Sequence, residues 1–478
     1  MVFSSTVFLF LFLPVALGLY FLSPGRFKNH VLLACSLFFY AWGEKAFVLV
    51  MLATILVNYA YGLLIDRFRG ERRSKIILGI AVATNLGFLI SFKYANFLTD
   101  NLNHLLTFIG AGTLHLAPVH LPIGISFFTF QAISYVIDVS RGDVPVQRNL
   151  VRMALYKSLF PQLIAGPIVR YREVAGEIVH RVVSLTGFAE GVRRFIAGLA
   201  KKMLIANTLA GPADAIFALP PGQLTTGLAW LGVACYTLQL YFDFSGYSDM
   251  AIGLGRMFGF HFGENFNYPY VAKSITEFWR RWHISLSTWF RDYLYIPLGG
   301  NRVSEARTYF NLAIVFFLCG LWHGASWNFI VWGLFHGVLL IVERLGLSSL
   351  LARAWAPLRH LYVVLLVMTG WVFFRAPTLS MSVDCIAAML GQAHGEAIDQ
   401  HAGMYLNAEV VLTLIIGAVG ATPVLPAVRA AVAAITERMG AARHAVCIVE
   451  VALYSLILLL STVSLASGTH NPFIYFRF

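Results

Sequence analysis

The chain has 478 residues, of which 58% are hydrophobic and 12% charged, with 39 Phe and a formal net charge of +12. At a mean hydropathy of +0.72 there is too little polar surface to cover a water-soluble globule. The apolar runs have helix length and lack the short alternating pattern of a membrane barrel, so an all-α polytopic membrane protein is expected. Lys and Arg are dispersed among the spans, which argues against a nucleic-acid partner.

From the N-terminus, the run Phe3 to Leu22 has no Lys or Arg before it and no small-residue cleavage site after it, and reads as a retained span. Basic SPGRFKNH (23–30) and DRFRGERRSK (66–75) bracket two apolar pieces, about 31–43 and 46–65, which return the chain to the side it left. The run from Ile76 to about Phe97 leads to a loop, 100–117, with Asp100 and no Lys or Arg. A span at about 118–138 then leads back to basic RGDVPVQRNLVR (141–152). Basic loops collect on the cytoplasmic side, so the N-terminus is expected outside. Between 170 and 202, RYREVAGEIVHRVV and FAEGVRRFIAGLAKK carry charge at helical spacing and read as helices along the cytoplasmic interface, drawn to anionic lipid, or else as an ordinary solvated loop. The five Cys (Cys35, Cys235, Cys319, Cys385, Cys447) have neither disulfide-framework nor zinc spacing.

The central third is different. Apolar stretches at about 224–242 and 309–342 flank YFDFSGYSDMAIGLGRMFGFHFGENFNYPY and SITEFWRRWHISLSTWFRDYLYIPLGGNR, which are aromatic, charged and broken by Gly and Pro. Irregular backbone at membrane depth survives only when buried in protein or lining a cavity, so an internal chamber or tunnel is expected. LPIGISFFTFQ (121–131) and FPQLIAGPI (160–168) have the same character. EFWRRWHISLSTWFRD reads as one helix, with Ser274 as N-cap, Glu277 at capping-box spacing, and Trp279, His283, Leu286 and Phe290 along one face. His283 on that stripe also fits a hydrogen-bonded core histidine.

In FLCGLWHGASWN (317–328), His323 lies within a run, Tyr309 to Val342, that contains no Asp, Glu, Lys or Arg. Arg302, Arg307 and Arg344 flank the run, which predicts a hairpin folding near residues 324–326 with His323 at its tip, deep in the bilayer but not through it. An imidazole desolvated among tryptophans is expected to be neutral, as a general base must be. His336, thirteen residues on, is out of phase and reads as a packing histidine. No HExxH or carboxylate–histidine ligand set is present, so no metal site is expected.

FYAWGE (39–44), LPIGISFFTFQ, LIAGPIVR, YFDFSGYSDMAIG, NFNYPY, FWRRWHISLSTWFRDYLYIPLGG, LWHGASWNF and the terminal FIYFRF together resemble the membrane-bound O-acyltransferase family nearly end to end. The likeness is greatest to its bacterial alginate-acetylating branch, with teichoic-acid D-alanylation transferases more distant. It implies a single multi-span domain with a catalytic core at about 120–346 and further spans at about 359–466. It also implies that the His of WHG, His323, is catalytic and that His283 holds the second polar position, orienting the donor or stabilising an oxyanion. The implied reaction moves an acetyl group from a cytoplasmic thioester such as acetyl-CoA, a substrate and not a resident cofactor, to hydroxyls of an exported polysaccharide or to a periplasmic acetyltransferase partner. Asp243, Ser245, Asp249 and Trp322 are tunnel-lining candidates, the first three equally suited to capping or bracing helices. Arg280, Arg281 and Arg291 are placed to attract donor phosphates, or else to anchor to headgroups and pair with Glu277 and Asp292. The competing readings are a transporter or channel, against which no second half of the chain echoes the first, and a non-catalytic scaffold that would tolerate loss of His323.

The topology is tested by single Cys probes in a background with native Cys replaced. Probes at Gly70 or Asp143 are expected to react only from the cytoplasm and one at Thr113 only from outside; labelling of all three from one side overturns the arrangement.

Overall fold

A computed structural model describes residues 2–392, 401–438, 442–467 and 473–474. Among these the regular elements are all helices. Five are long and apolar enough to cross a membrane, six if the bent pair Ala408–Gly420 and Val424–Thr436 forms one span. The expected C-terminal spans therefore fall only partly within the described residues, and of the terminal FIYFRF only Phe473 and Ile474 do.

The chain forms two compact units, one of Met1–Val192, Ala251–Gly263 and Gly324–Ser326 and the other of Arg193–Met250, Glu264–His323 and Trp327–Phe478. The expected core at 120–346 is thus divided between them. In the first unit the helices Lys28–Glu44, Val48–Arg67, Arg72–Leu89, Ile125–Arg141 and Leu150–Ser158 pack around Phe3, Phe8, Phe39 and Phe160, all fully buried. Two buried amides inside it match each other: Asn58 and Asn85, facing each other from two apolar helices, exchange hydrogen bonds of 2.9 and 2.8 Å. Such pairing satisfies amides that neither lipid nor hydrocarbon side chains can.

The second unit holds every candidate site residue. Its first apolar stretch does not stop at the polar block: Thr226–Met257 is a single helix of 32 residues that carries YFDFSGYSDMAIG within it. Irregular backbone begins only after Met257. The second apolar stretch folds as expected, into Glu305–His323 and Trp327–Val342 with the break at residues 324–326. These two helices touch backbone to backbone. A Cβ built on Gly320 would lie 2.3 Å from Phe329 O and one on Gly333 2.2 Å from Phe316 O. Only glycine permits that approach, the small-residue packing that membrane helices use in place of a hydrophobic driving force.

Gly333→Ala must push the two helices apart, an overpacking cost of about 1–3 kcal/mol. A lowered unfolding temperature in detergent is expected, whereas Gly79→Ala, inside the helix Arg72–Leu89 with nothing within 4 Å of the added atom, leaves it unchanged or slightly raised. Equal unfolding temperatures for the two variants would contradict the close-packed hairpin.

Candidate active site

The segment expected as one helix is two. Ile275–Arg281 ends at Trp282 in extended backbone, and Ile284–Phe290 begins after His283, whose φ of 44° and ψ of 54° are left-handed. The physical reason is local: a second strand of chain, residues 265–267, lies beside the break and takes over the hydrogen bonds the helix gives up. Asn267 N donates to Arg281 O at 2.9 Å and Ile284 N to Asn265 O at 2.9 Å. A left-handed non-glycine residue costs roughly 1–3 kcal/mol and persists only when its surroundings over-determine it. Here they do.

The N-terminus of the first piece is capped twice. Ser274 Oγ accepts from Glu277 N at 3.0 Å, as expected, while Glu277 Oε2 reaches one residue further back, to Lys273 N at 2.9 Å. Partial burial raises the Glu277 carboxyl, and the Lys273 amide and Arg281 more than offset it, so it stays below its ordinary value. A second carboxylate, Glu343, is buried at the end of the apolar hairpin and accepts from Ile275 N at 2.6 Å, Thr276 N at 3.0 Å and Thr276 Oγ1 at 2.7 Å. Sequence reading passed over Glu343; a carboxylate closing an apolar run was the available signal.

The break turns His283 into a chamber of rings. Its ring centre lies 4.7 Å from Phe244, 5.8 Å from Trp322 and 6.4 Å from His323. His323, the last residue of its helix, has Trp332 at 4.9 Å, Trp322 at 5.0 Å and Phe374 at 5.2 Å. Two imidazoles forty residues apart in sequence are therefore brought together, both buried. His336 is also buried but stands beyond Trp332, stacked parallel to Phe278 at 6.3 Å. Trp279, Leu286 and Phe290 are buried with His283 despite the break.

Neither His283 nor His323 lines the nearby cavity of about 840 Å³, which is bounded by Trp279, Leu286, Phe316 and Cys319 on its apolar side and reaches Ile284, the residue after His283. Cys319 is one helical turn from His323. The polar side carries Lys273, Arg280, Arg291, Arg344 and Arg359 together with the carboxylate Glu343. Arg280 and Arg291 are the cations expected at a donor site, and Lys273, Arg344 and Arg359 join them. Arg281 does not line the cavity: its guanidinium holds Glu277 at 2.9 Å and Asn267 O at 3.0 Å. Arg291 also contacts Asp292, at 2.8 Å on an exposed surface.

Neither Asp243, Ser245, Asp249 nor Trp322 lines this cavity. Asp243 is buried against Lys202 and accepts from Ile474 N at 3.0 Å. Asp249 accepts from Arg194 Nε at 2.8 Å and Lys201 Nζ at 2.6 Å. Both brace the Thr226–Met257 helix; Ser245, between them, is buried. Among the described residues no three His, Cys, Asp or Glu side chains gather as a metal site would require.

These features define a multi-spanning helical membrane protein with a buried two-histidine site beside a cation-lined cavity. Residues 36–357 match the description of the MBOAT, membrane-bound O-acyltransferase family. The chain belongs to that family and is an O-acyltransferase. It is 53% identical to the probable alginate O-acetylase AlgI of Azotobacter vinelandii, over 81% of this chain and 78% of that one. The probable alginate O-acetylase AlgI of Pseudomonas putida is 45% identical over the whole of both chains. A peptidoglycan O-acetyltransferase of Helicobacter pylori is 36% identical over 82% of this chain and 80% of that one.

Glu343→Ala strips an acceptor from two backbone amides and the hydroxyls of Thr276 and Tyr362 at once, and is expected to cost on the order of 3 kcal/mol. Glu277→Ala, at a half-exposed ion pair, is expected to cost about 1 kcal/mol or less. Denaturation of the two purified variants checks this; equal stabilities would remove Glu343 from its role in holding the broken helix.

Proposed function

We propose that the protein moves an acetyl group from a cytoplasmic thioester, acetyl-CoA, to hydroxyls of an exported polysaccharide, alginate or a similar glycan, across the bacterial inner membrane. Transfer is direct or passes through a periplasmic acetyltransferase partner. The observation that carries the reading is the juxtaposition of His283 and His323, 6.4 Å apart, within one helical turn of a large cavity rimmed by Lys273, Arg280, Arg291, Arg344 and Arg359. The activities for which the relatives are named, acetylation of alginate and of peptidoglycan, point to the acetyl group and the glycan hydroxyl.

In this reading the cavity holds the donor, its phosphates on the guanidinium groups and its thioester directed at the imidazoles. Planar guanidinium suits phosphate oxygens, and apolar walls suit an acyl group. His323 takes the proton of the attacking hydroxyl as its oxygen bonds to the thioester carbonyl carbon. The C–S bond then breaks, and the proton passes from the imidazolium to the departing thiolate. The aromatic walls exclude water, so the thioester meets a hydroxyl and not hydrolysis.

His323→Ala is expected to abolish ester formation on the exported polymer with protein level and membrane insertion unchanged, while His336→Ala retains it. On purified protein, Arg280→Gln and Arg291→Gln raise the donor KM several-fold more than they lower kcat, having removed binding common to ground and transition states. Arg281→Gln, whose side chain serves Glu277, shifts KM less. Wild-type acetylation by His323→Ala, or an unchanged donor KM for both cavity arginine variants, would sink this assignment.

A further inference from the structure

Asn265, fully buried, sits at the centre of the broken helix. Its Oδ1 faces Ser285 N at 3.3 Å, Ser285 Oγ at 2.9 Å and His283 Nδ1 at 3.1 Å, and its Nδ2 donates to Ser248 Oγ at 3.1 Å. An amide's oxygen and nitrogen are interchangeable in shape, so their placement rests on partners. Here one partner decides. The Ser285 backbone N–H only donates, so the atom before it is the oxygen, and the flipped amide would set donor against donor. The same oxygen faces His283 Nδ1, which must then carry a proton. In a neutral imidazole a proton on Nδ1 leaves Nε2 with the lone pair. With His283 fully buried among Phe244, Trp322 and His323, a second proton, and with it a charge, is costly.

We propose that Asn265 is a positioning residue that holds His283 as its Nδ1–H tautomer, so that Nε2 accepts a hydrogen bond from a second, non-reacting hydroxyl of the glycan beside the one that His323 deprotonates, and does not donate to an oxyanion. The proposal rests on the acyl-transfer reading for the identity of that hydroxyl. It changes the part expected of His283: an imidazole locked this way cannot stabilise a developing negative charge through Nε2. It also explains why the sequence spends a left-handed residue at this place. At φ 44° the His283 side chain and the Ser285 amide both reach one oxygen, which a continuous helix would not allow. Ring centres 6.4 Å apart are too far for a direct bond between His283 and His323 nitrogens, so each imidazole accepts from its own hydroxyl of the acceptor.

The test uses full-length protein labelled with ¹⁵N-histidine, with His283→Gln to assign the resonances. A pyrrole-type Nδ1 and a pyridine-type Nε2 are expected for His283. Asn265→Asp, which keeps an acceptor oxygen, preserves that pattern and most of the activity. Asn265→Leu, which has none, mixes the tautomers and lowers kcat about a hundredfold with donor KM nearly unchanged, as wrong-tautomer variants of other histidine enzymes do. If Asn265→Leu does not fold, His283→Asn carries the kinetic arm, because it keeps an N–H toward Asn265 and lacks any acceptor at Nε2; it is expected to be inactive. A protonated Nε2 in active wild-type protein, or full activity of His283→Asn, overturns the proposal. Loss of activity in Asn265→Leu with the tautomer unmoved also overturns it, leaving Asn265 merely structural. The expected resonances in a protein that releases no thiol from a thioester would instead refute the acyl-transfer reading, and the hydroxyl-accepting role with it.

Discussion

A broken helix in an apolar interior must have its orphaned amides and carbonyls bonded by other protein groups, because neither lipid nor aromatic side chains can bond them. The break at Trp282–His283 meets that requirement through residues 265–267. Asn267 N bonds Arg281 O and Asn265 O takes Ile284 N. Everything that makes the site chemical follows from this arrangement. His283 is turned out of helical geometry toward His323, and the Ile275–Arg281 helix is held by Glu343 at its start.

The hairpin supplies the other half. Gly320 and Gly333 let Glu305–His323 and Trp327–Val342 approach backbone to backbone, which fixes where the hairpin's own imidazole ends up. Trp332 then stands between His323 and His336 and touches both. One histidine is thereby left beside the second catalytic candidate and the other is enclosed in rings. A single aromatic wall, Trp332, separates the histidine proposed as the base from the one read as packing.

Much of this was legible in the sequence. The length of apolar runs, the fold of 309–342 near residues 324–326, the Ser274 cap and the likeness of FWRRWH and WHG to the family all read directly. What periodicity misread was continuity. It extended one helix through His283, because Trp279, His283, Leu286 and Phe290 do share a buried face, and a positive φ leaves no mark on the spacing. It broke the chain at YFDFSGYSD, because Asp243 and Asp249 look out of place in a span, although Lys202 and Lys201 with Arg194 answer them. The cation-lined cavity was half visible: Arg280 and Arg291 lie on the predicted segment, while Arg344 and Arg359 come from chain that only folding brings near. Asn265 stood within the motif NFNYPY, but nothing in the sequence set it apart from Asn267, since its place in the site lies in one oxygen shared by His283 and Ser285.

The central claim is that the two-histidine chamber transfers an acyl group covalently. Its most direct measurement follows purified, reconstituted protein supplied with acetyl-CoA labelled in the acetyl group and a soluble glycan acceptor. The account predicts labelled ester on the acceptor and free thiol in equal amounts, both lost in His323→Ala. Label that crosses the membrane without thiol release, or thiol released equally by the variant, would contradict it.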